Sequence, residues 1–236
     1  MSPNQTSKQQ KSVEIQALFD RIAPVYDQLN DRLSFGQHRV WKLMTVKWSG
    51  ADLGDTCLDV CCGSGDIARL LAKQVGSKGK VYGLDFSAKQ LQVAKESTPL
   101  HLTINWLEGD ALVLPFADNY FDAATMGYGL RNVVDIPQAL RELYRVIKPQ
   151  AKVAILDFHK PSSELINSFQ QWYLGNIVVP IADRFNFTAD YAYLMPSLER
   201  FPDRLEQIRL AKAAGFTEVA HYPIAFGLMG VLVATK

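Results

Sequence analysis

The stretch LDVCCGSGDIARLLA (residues 58–72) places a strand, a glycine turn and a helix in direct succession. An apolar run at residues 57–61 enters the turn Gly63, Ser64 and Gly65, where the backbone must turn sharply and approach a ligand closely. An amphipathic helix follows, and its apolar face carries Ile67, Leu70, Leu71 and Val75. This order predicts a nucleotide-binding unit in a parallel α/β sheet.

Further ligand-type residues follow the next apolar runs. Asp85, with Phe86 beside it, comes after the run 81–84, about 20 residues beyond the turn, where a carboxylate accepts hydrogen bonds from ribose hydroxyls. Asp110 and Ala111 follow the run 102–107 and suit an adenine amino group, and Gly127 follows the run 121–126. These positions predict an adenosine site along one edge of the sheet.

The glycine pattern Gly63-x-Gly65-x-x-Ala68 also fits a dinucleotide fingerprint, so it does not separate an NAD enzyme from a methyltransferase. Asp59 separates them better, because it lies in the first strand, four residues before Gly63. A carboxylate there repels a pyrophosphate but attracts the sulfonium and amino group of S-adenosylmethionine. The residues therefore favour S-adenosylmethionine over the alternatives, NAD or a turn with solvated acids.

Composition indicates a single enzyme domain at residues 13–236 of this 236-residue chain, 48% of which is hydrophobic. Residues 1–12 are polar and lack an apolar signal core, so we expect a flexible arm and a cytoplasmic protein. The net charge of +1 argues against a nucleic-acid partner. Three cysteines clustered at residues 57–62 indicate packing residues rather than a disulfide framework or a metal site.

The remaining runs alternate between strand and helix patterns, as in a parallel sheet covered by helices on both faces. We expect strands at 121–126 and 153–158, a helix at 136–147, and a chain break at Pro149. Residues 216–224 and 228–234 could close the sheet as an antiparallel hairpin. The aromatic insert at 160–201 is longer than a crossover needs, and we expect it to be a lid over the substrate.

Several stretches resemble the quinone-ring C-methyltransferases that act on ubiquinone and menaquinone precursors: YDQLNDRLSFGQHRVW (26–41), GDALVLPFADNYFDAATMGYGLRNV (109–133) and RVIKPQAKVAILDFHK (145–160). The third departs from the usual family pattern at Gln150, Ala151, Asp157 and His159. With NIVVPIAD (176–183) and FGLMGVLVATK (226–236), these departures resemble the phylloquinone-making branch of cyanobacteria and plastids. The absence of a transit peptide favours the cyanobacterial side.

The resemblance implies a Rossmann-like class I methyltransferase fold with a seven-stranded, mostly parallel sheet and a helical cap at residues 13–50. It implies methyl transfer to the ring carbon of 2-phytyl-1,4-naphthoquinol, the last step of phylloquinone synthesis, or to a demethylmenaquinone or ubiquinone precursor. The ring must be reduced, because an oxidised quinone is electrophilic, so a separate quinone reductase supplies the quinol. No metal is required. Peripheral membrane contact is expected for a lipid substrate, with residues 172–182 lining an apolar portal, and a homodimer is left open.

Arg131 and Asn132 follow the fourth strand, where they could stabilise the phenolate or hold its oxygen. Alternatively, Arg131 pairs with an acid and Asn132 serves a turn; the resemblance favours the catalytic interpretation. Tyr26 and His38 belong to the predicted cap and could relay a proton, although His38 fits a packed histidine equally well. A hydride-transferring oxidoreductase and a non-catalytic quinone-binding subunit remain as alternatives from other classes.

Overall fold

The computed structural model describes residues 3–23, 31–34, 36–161, 163–178, 180 and 194–236. Its strands are β1 (Thr56–Val60), β2 (Lys80–Asp85), β3 (Ile104–Glu108), β4 (Phe121–Gly127), β5 (Ile147–Phe158), β6 (Glu218–Ile224) and β7 (Met229–Thr235). They form one sheet in the order β3-β2-β1-β4-β5-β7-β6. β7 is antiparallel to its neighbours β5 and β6, while every pairing among the first five strands is parallel. The predicted mostly parallel sheet, closed by a C-terminal hairpin, is confirmed.

The helices are α1 (Pro3–Ile22), α2 (Gln37–Ser49), α3 (Asp66–Val75), α4 (Ala88–Ser97), α5 (Ile136–Val146), α6 (Glu164–Tyr173), α7 (Leu194–Arg200) and α8 (Arg204–Ala213). Side-chain caps fix the starts of three of them. Ser87, Asp135 and Asp203 each accept a hydrogen bond from the backbone N–H three residues on, which satisfies an otherwise unpaired donor.

Two apolar clusters hold helices to opposite faces of the sheet, because side chains alternate along a strand. Cys57 of β1 packs in a cluster with the apolar faces of α2 and α3. Leu58 and Val60 point the other way, into the cluster that contains the apolar faces of α5 and α8. The sheet is therefore covered on both sides, as the continuous apolar runs predict.

The strand order reverses at β1, whose neighbours are β2 on one side and β4 on the other. The crossovers on the two sides of β1 lead away from each other, which leaves a crevice at the carboxyl ends of β1 and β4. The fold therefore places the glycine turn after β1 and the loop after β4 at the same opening.

Two sequence predictions of local structure are wrong. Residues 1–12 were expected to be a flexible arm, but α1 begins at Pro3. Buried Ile15 and Ile22 anchor this helix, and the Gln and Lys residues before them are good helix formers that extend it toward the N-terminus. Pro149 was expected to break the chain, yet β5 runs through it from Ile147, with a register shift in its pairing to β4 that accommodates the proline.

Candidate active site

A cleft opens at the carboxyl ends of β1, β2 and β4 and encloses about 930 Å³ of space, part of it open to solvent. Eight of the nine predicted cofactor residues line it: Asp59, Gly63, Ser64, Asp85, Phe86, Asp110, Ala111 and Gly127. The fold thus gathers into one cleft residues that the sequence distributes over four segments.

Asp59 lies at the bottom of this cleft and is 1% exposed. The Thr125 hydroxyl donates to its Oδ1 at 2.8 Å, whereas Oδ2 receives no well-formed hydrogen bond from the described residues. Burial raises the pKa of Asp59 to about 7, against the opposite effect of Thr125. A buried carboxylate with an unsatisfied oxygen is suited to a cationic ligand group.

Asp85 ties the end of β2 to the glycine turn. Its Oδ2 accepts a hydrogen bond from the Gly63 N–H at 2.8 Å, and its Oδ1 accepts one from the Ser87 N–H at 2.9 Å. Burial nevertheless raises the pKa of this carboxyl to about 6. Asp85 therefore orders the turn while presenting its carboxylate to the cleft.

Gly65 is required both by its backbone conformation and by close packing. It has a φ of +88°, and a Cβ on it would lie 2.4 Å from the Trp106 ring. A Cβ on Gly127 would lie 2.5 Å from Cδ1 of Ile67, the flexible end of a side chain that can shift. Gly65 does not itself line the cleft, so its predicted contribution is to shape the turn at the start of α3.

The third strand end supplies Asp110 and Ala111, as predicted. Asp110 Oδ1 accepts a hydrogen bond from the Leu112 N–H at 2.9 Å, which fixes the loop after β3. Asp110 is exposed, whereas Ala111 is buried against the cleft wall. This end of the cleft combines a polar rim with an apolar floor, which suits a flat, partly polar ring.

The N-terminal helix α1 forms one wall of the cleft, and the sequence reasoning, which predicts a helical cap at residues 13–50, names none of the residues that line it. Ser12, Ile15 and Phe19 line the cleft. The Gln16 amide donates to the carbonyl oxygen of Phe86 at 2.6 Å, and the rings of Phe19 and Phe86 lie 6.3 Å apart. The helical spacing of Ile15, Leu18 and Ile22 was the available signal, although it does not show where the helix docks.

Lys42 of α2 is a second cleft residue that was missed. It is 5% exposed, and its Nζ lies 2.5 Å from Oδ2 of Asp66, the first residue of α3. Burial by itself would raise the pKa of Asp66, but Lys42 and Arg69 together hold that pKa below its ordinary value. A buried cation therefore faces the same cleft as the Asp59 carboxylate.

Arg131 and Asn132 lie in the loop after β4, but only Asn132 lines the cleft. The Arg131 guanidinium donates to Asp157 Oδ1 at 2.8 Å and to the Tyr128 carbonyl oxygen at 3.1 Å. The Asn132 amide nitrogen donates to the same Tyr128 carbonyl at 2.9 Å, while its Oδ1 is buried without a hydrogen-bond donor among the described residues. The Arg131 ion pair thus holds the loop after β4 in place, and Asn132 offers its Oδ1 to the cleft as a hydrogen-bond acceptor.

Of the two residues predicted to relay a proton, Tyr26 lies outside the described residues and His38 does not line the cleft. His38 is 3% exposed; its Nδ1 is 2.8 Å from the Ser34 hydroxyl, and burial lowers its pKa. His159, the further histidine noted in the sequence, packs against His221 with ring centroids 4.9 Å apart and is absent from the cleft lining.

Comparison with known proteins identifies the family. A model of the ubiE/COQ5 methyltransferase family matches residues 4–236. The chain belongs to the ubiE/COQ5 methyltransferase family. This confirms the resemblance noted from the sequence and decides against an NAD-dependent oxidoreductase.

Among curated relatives of this ubiE/COQ5 family member is the 2-phytyl-1,4-naphtoquinone methyltransferase of Trichormus variabilis. It is 61% identical over 226 residues, covering 94% of this chain and 99% of the relative. The chloroplastic 2-phytyl-1,4-beta-naphthoquinone methyltransferase of Arabidopsis thaliana is 52% identical over 230 residues, covering 95% and 88%. Both relatives are named for 2-phytyl-1,4-naphthoquinone, the methyl acceptor that the family resemblance implies.

Solved structures show the same fold at low sequence identity. A SAM-dependent methyltransferase from Aquifex aeolicus matches with a TM-score of 0.62 and 24% identity, covering 82% of this chain and 88% of that one. A possible histamine N-methyltransferase from Thermotoga maritima matches with a TM-score of 0.65 and 20% identity, covering 94% and 99%. The ubiE/COQ5 family member therefore has the predicted class I methyltransferase fold.

Proposed function

We propose that this protein transfers a methyl group from S-adenosylmethionine to the ring carbon of 2-phytyl-1,4-naphthoquinol, the last step of phylloquinone synthesis. The observation that carries the proposal is the identity of 52% to 61% to relatives named for that ring, over nearly the whole chain. Demethylmenaquinone presents the same naphthoquinol ring with another tail and is the alternative acceptor.

The methyl donor is S-adenosylmethionine, and the cleft fits it. When bound, the donor supplies an electrophilic methyl group on a positively charged sulfur. Asp59, with its unsatisfied Oδ2, provides negative charge for the cationic end, and Asp85 provides acceptors for ribose hydroxyls. Phe86 and Ala111 offer apolar surface beside Asp110 for the adenine ring.

On the acceptor side, Asn132 is the residue best placed to contact the quinol. Its Oδ1 is buried in the cleft lining without a described donor, so it can accept the hydrogen bond of a ring hydroxyl and hold the ring in line with the methyl group. The hydroxyl oxygen donates electron density to the neighbouring ring carbon, which takes the methyl group as the neutral thioether leaves, and one proton passes to water as the aromatic ring is restored. Asn132 is therefore proposed as the catalytic residue of this pair.

Arg131 is proposed to act as a positioning residue. Its charge is neutralised by Asp157, and both side chains are buried at 6% and 4% exposure. Since Arg131 and Asn132 donate to the same Tyr128 carbonyl oxygen, the ion pair fixes the loop that carries Asn132. The roles predicted for Tyr26 and His38 stay predictions.

The test is transfer of labelled methyl to 2-phytyl-1,4-naphthoquinone that has been chemically reduced under anaerobic conditions, with the oxidised quinone as the control. We expect labelled product from the quinol alone, and we expect Asn132→Ala to lower kcat about 100-fold with donor affinity unchanged. Donor binding without any product would refute the proposal and favour a non-catalytic quinone-binding subunit. Product from a short-tailed naphthoquinol at the same rate would show that the tail is not recognised.

We further propose that the protein is cytoplasmic and contacts a membrane surface peripherally to collect its lipid substrate. Among the described residues, no helix combines the length and apolar character of a membrane span. The outer face of α6 instead exposes an apolar stripe of Leu165, Phe169 and Trp172, at spacings of one helical turn. Phe226 is also exposed, and its turn is linked to α6 by the Gln170 amide, which donates to the Leu228 carbonyl oxygen.

Vesicle co-sedimentation tests this contact. We expect the double variant Phe169→Ser, Trp172→Ser to lose binding to anionic vesicles, and Leu53→Ser, which changes an even more exposed apolar residue before β1, to keep it. Equal binding by all three proteins would refute a role of the stripe in membrane contact.

Residues 179, 181 and 182 of the predicted portal lie outside the described residues. A reductase that supplies the quinol and a homodimer remain predictions about partners.

A further inference from the structure

Two opposite charges are buried on neighbouring walls of the cleft. Asp59 is the last but one residue of β1, and its Oδ2 receives no well-formed hydrogen bond from the described residues, while the Lys42 ammonium reaches the cleft from α2. They are close enough that Lys42 lowers the pKa of Asp59, although burial dominates and raises it. Burying a carboxylate and an ammonium side by side costs free energy unless partners compensate each charge.

The amino acid end of the methyl donor carries the matching pair of charges, an ammonium and a carboxylate. The ribose and adenine end of the cleft is assigned to Asp85, Phe86, Asp110 and Ala111. The amino acid end of the donor is therefore expected in the part of the cleft that Asp59 and Lys42 line. We propose that Lys42 binds the carboxylate of the donor, opposite the ammonium that Asp59 attracts. This inference rests on the proposed function.

The hydrogen bonds around Lys42 allow it to change partners. In this structure its Nζ donates to Asp66 Oδ2, but the Arg69 guanidinium also donates to Asp66, through Oδ1. Asp66 therefore keeps a cationic partner when Lys42 turns part of its hydrogen-bonding capacity to a ligand. An ammonium has three donors, so it can bridge Asp66 and a second carboxylate.

The experiment compares two ligands that differ only in the carboxylate. Binding of S-adenosylhomocysteine and of its decarboxylated analogue, which keeps the amino group, is measured by calorimetry on the full chain. The proteins are the wild type, Lys42→Met and the control Lys47→Met, which removes an exposed lysine from the same helix. We expect the wild type and the control to prefer S-adenosylhomocysteine by about 10- to 100-fold, the contribution of one charge-assisted hydrogen bond.

In Lys42→Met we expect that preference to disappear because affinity for S-adenosylhomocysteine falls, while affinity for the decarboxylated analogue stays within about two-fold. Equal loss of affinity for both ligands would assign Lys42 a purely structural role, and an undiminished preference would assign the carboxylate to another residue; either result overturns the inference. Failure of the wild type to bind S-adenosylhomocysteine would instead contradict the proposed function. Lys42→Arg, which keeps the charge, is expected to restore most of the preference.

Discussion

Replacing Asp59 with asparagine should stabilise the ligand-free protein while weakening its binding of the donor. Asp59 is 1% exposed, and burial raises its pKa from 3.8 to about 7. Asparagine has the same shape and can keep the hydrogen bond from Thr125, but it carries no charge. The substitution therefore removes the cost of ionising a buried group and, with it, the attraction for a cationic ligand.

The magnitude follows from the two pKa values. The unfolded chain ionises Asp59 near pH 4 and the folded protein only near pH 7, so its contribution to stability is complete below pH 4 and is lost as the pH rises through 7. Between pH 5 and pH 8 the free energy of unfolding of the wild type should fall by about 2 to 3 kcal/mol relative to that of Asp59→Asn, at about 1.4 kcal/mol for each pH unit below the folded pKa. For a chain of this size, that difference is about 5 to 10 °C in Tm.

Thermal unfolding of the ligand-free proteins at pH 5 and pH 8 measures this difference. Glu218→Gln, which neutralises an exposed acid on β6, is the matched control and should follow the wild type at both values. Calorimetry at pH 8 should show that Asp59→Asn binds S-adenosylmethionine about 10- to 100-fold more weakly. A Tm difference between wild type and Asp59→Asn that is the same at pH 5 and pH 8 would refute the assignment of a raised pKa to Asp59.

Three further predictions follow from other contacts. Donor binding at pH 6 should release about one proton, because the cationic ligand lowers the pKa of Asp59; calorimetry in buffers of different ionisation enthalpy would detect it, and no release at pH 6 would contradict the pairing. Gly129→Ala should cost about 1 to 3 kcal/mol in urea unfolding, since its Cβ would lie 2.6 Å from that of Cys61, and adding Cys61→Gly should recover part of the loss. Burial lowers the pKa of His221 to about 4, so the stability that it contributes is present above pH 6.5 and lost as the pH falls through 4; His221→Gln should flatten the acid side of the Tm profile, and an unchanged profile would speak against that shift.

The cofactor side of the cleft could be predicted from the sequence because its signals are local. Gly63, Asp85 and Asp110 each stand within about three residues of the end of an apolar run, and parallel strands bring their carboxyl ends to one edge of a sheet. Asp59 was equally readable, because a carboxylate inside an apolar strand needs a reason to be there. The structure places these four residues in the lining of one cleft.

The roles of other charged residues could not be read in this way. For Arg131, the sequence left a choice between a quinol partner and an ion pair, and the structure shows the pair with Asp157, 26 residues further along the chain. For Lys42, the partner Asp66 is 24 residues away on another helix, and no short motif links the two. Both contacts depend on how separate elements dock.

The class of fold, the family and the edge of the sheet that carries the predicted cofactor residues can all be inferred from the sequence alone. These depend on hydrophobic period and on spacings of a few residues, which the backbone converts into strands, turns and helices. The docking of separate elements places α1 in a wall of the cleft, brings Lys42 to the same cleft as Asp59, and pairs Arg131 with Asp157 while Asn132 lines the cleft. These positions cannot be inferred from the sequence, because the free energy of a charge depends on its burial and partners, which exist only once distant segments have packed together.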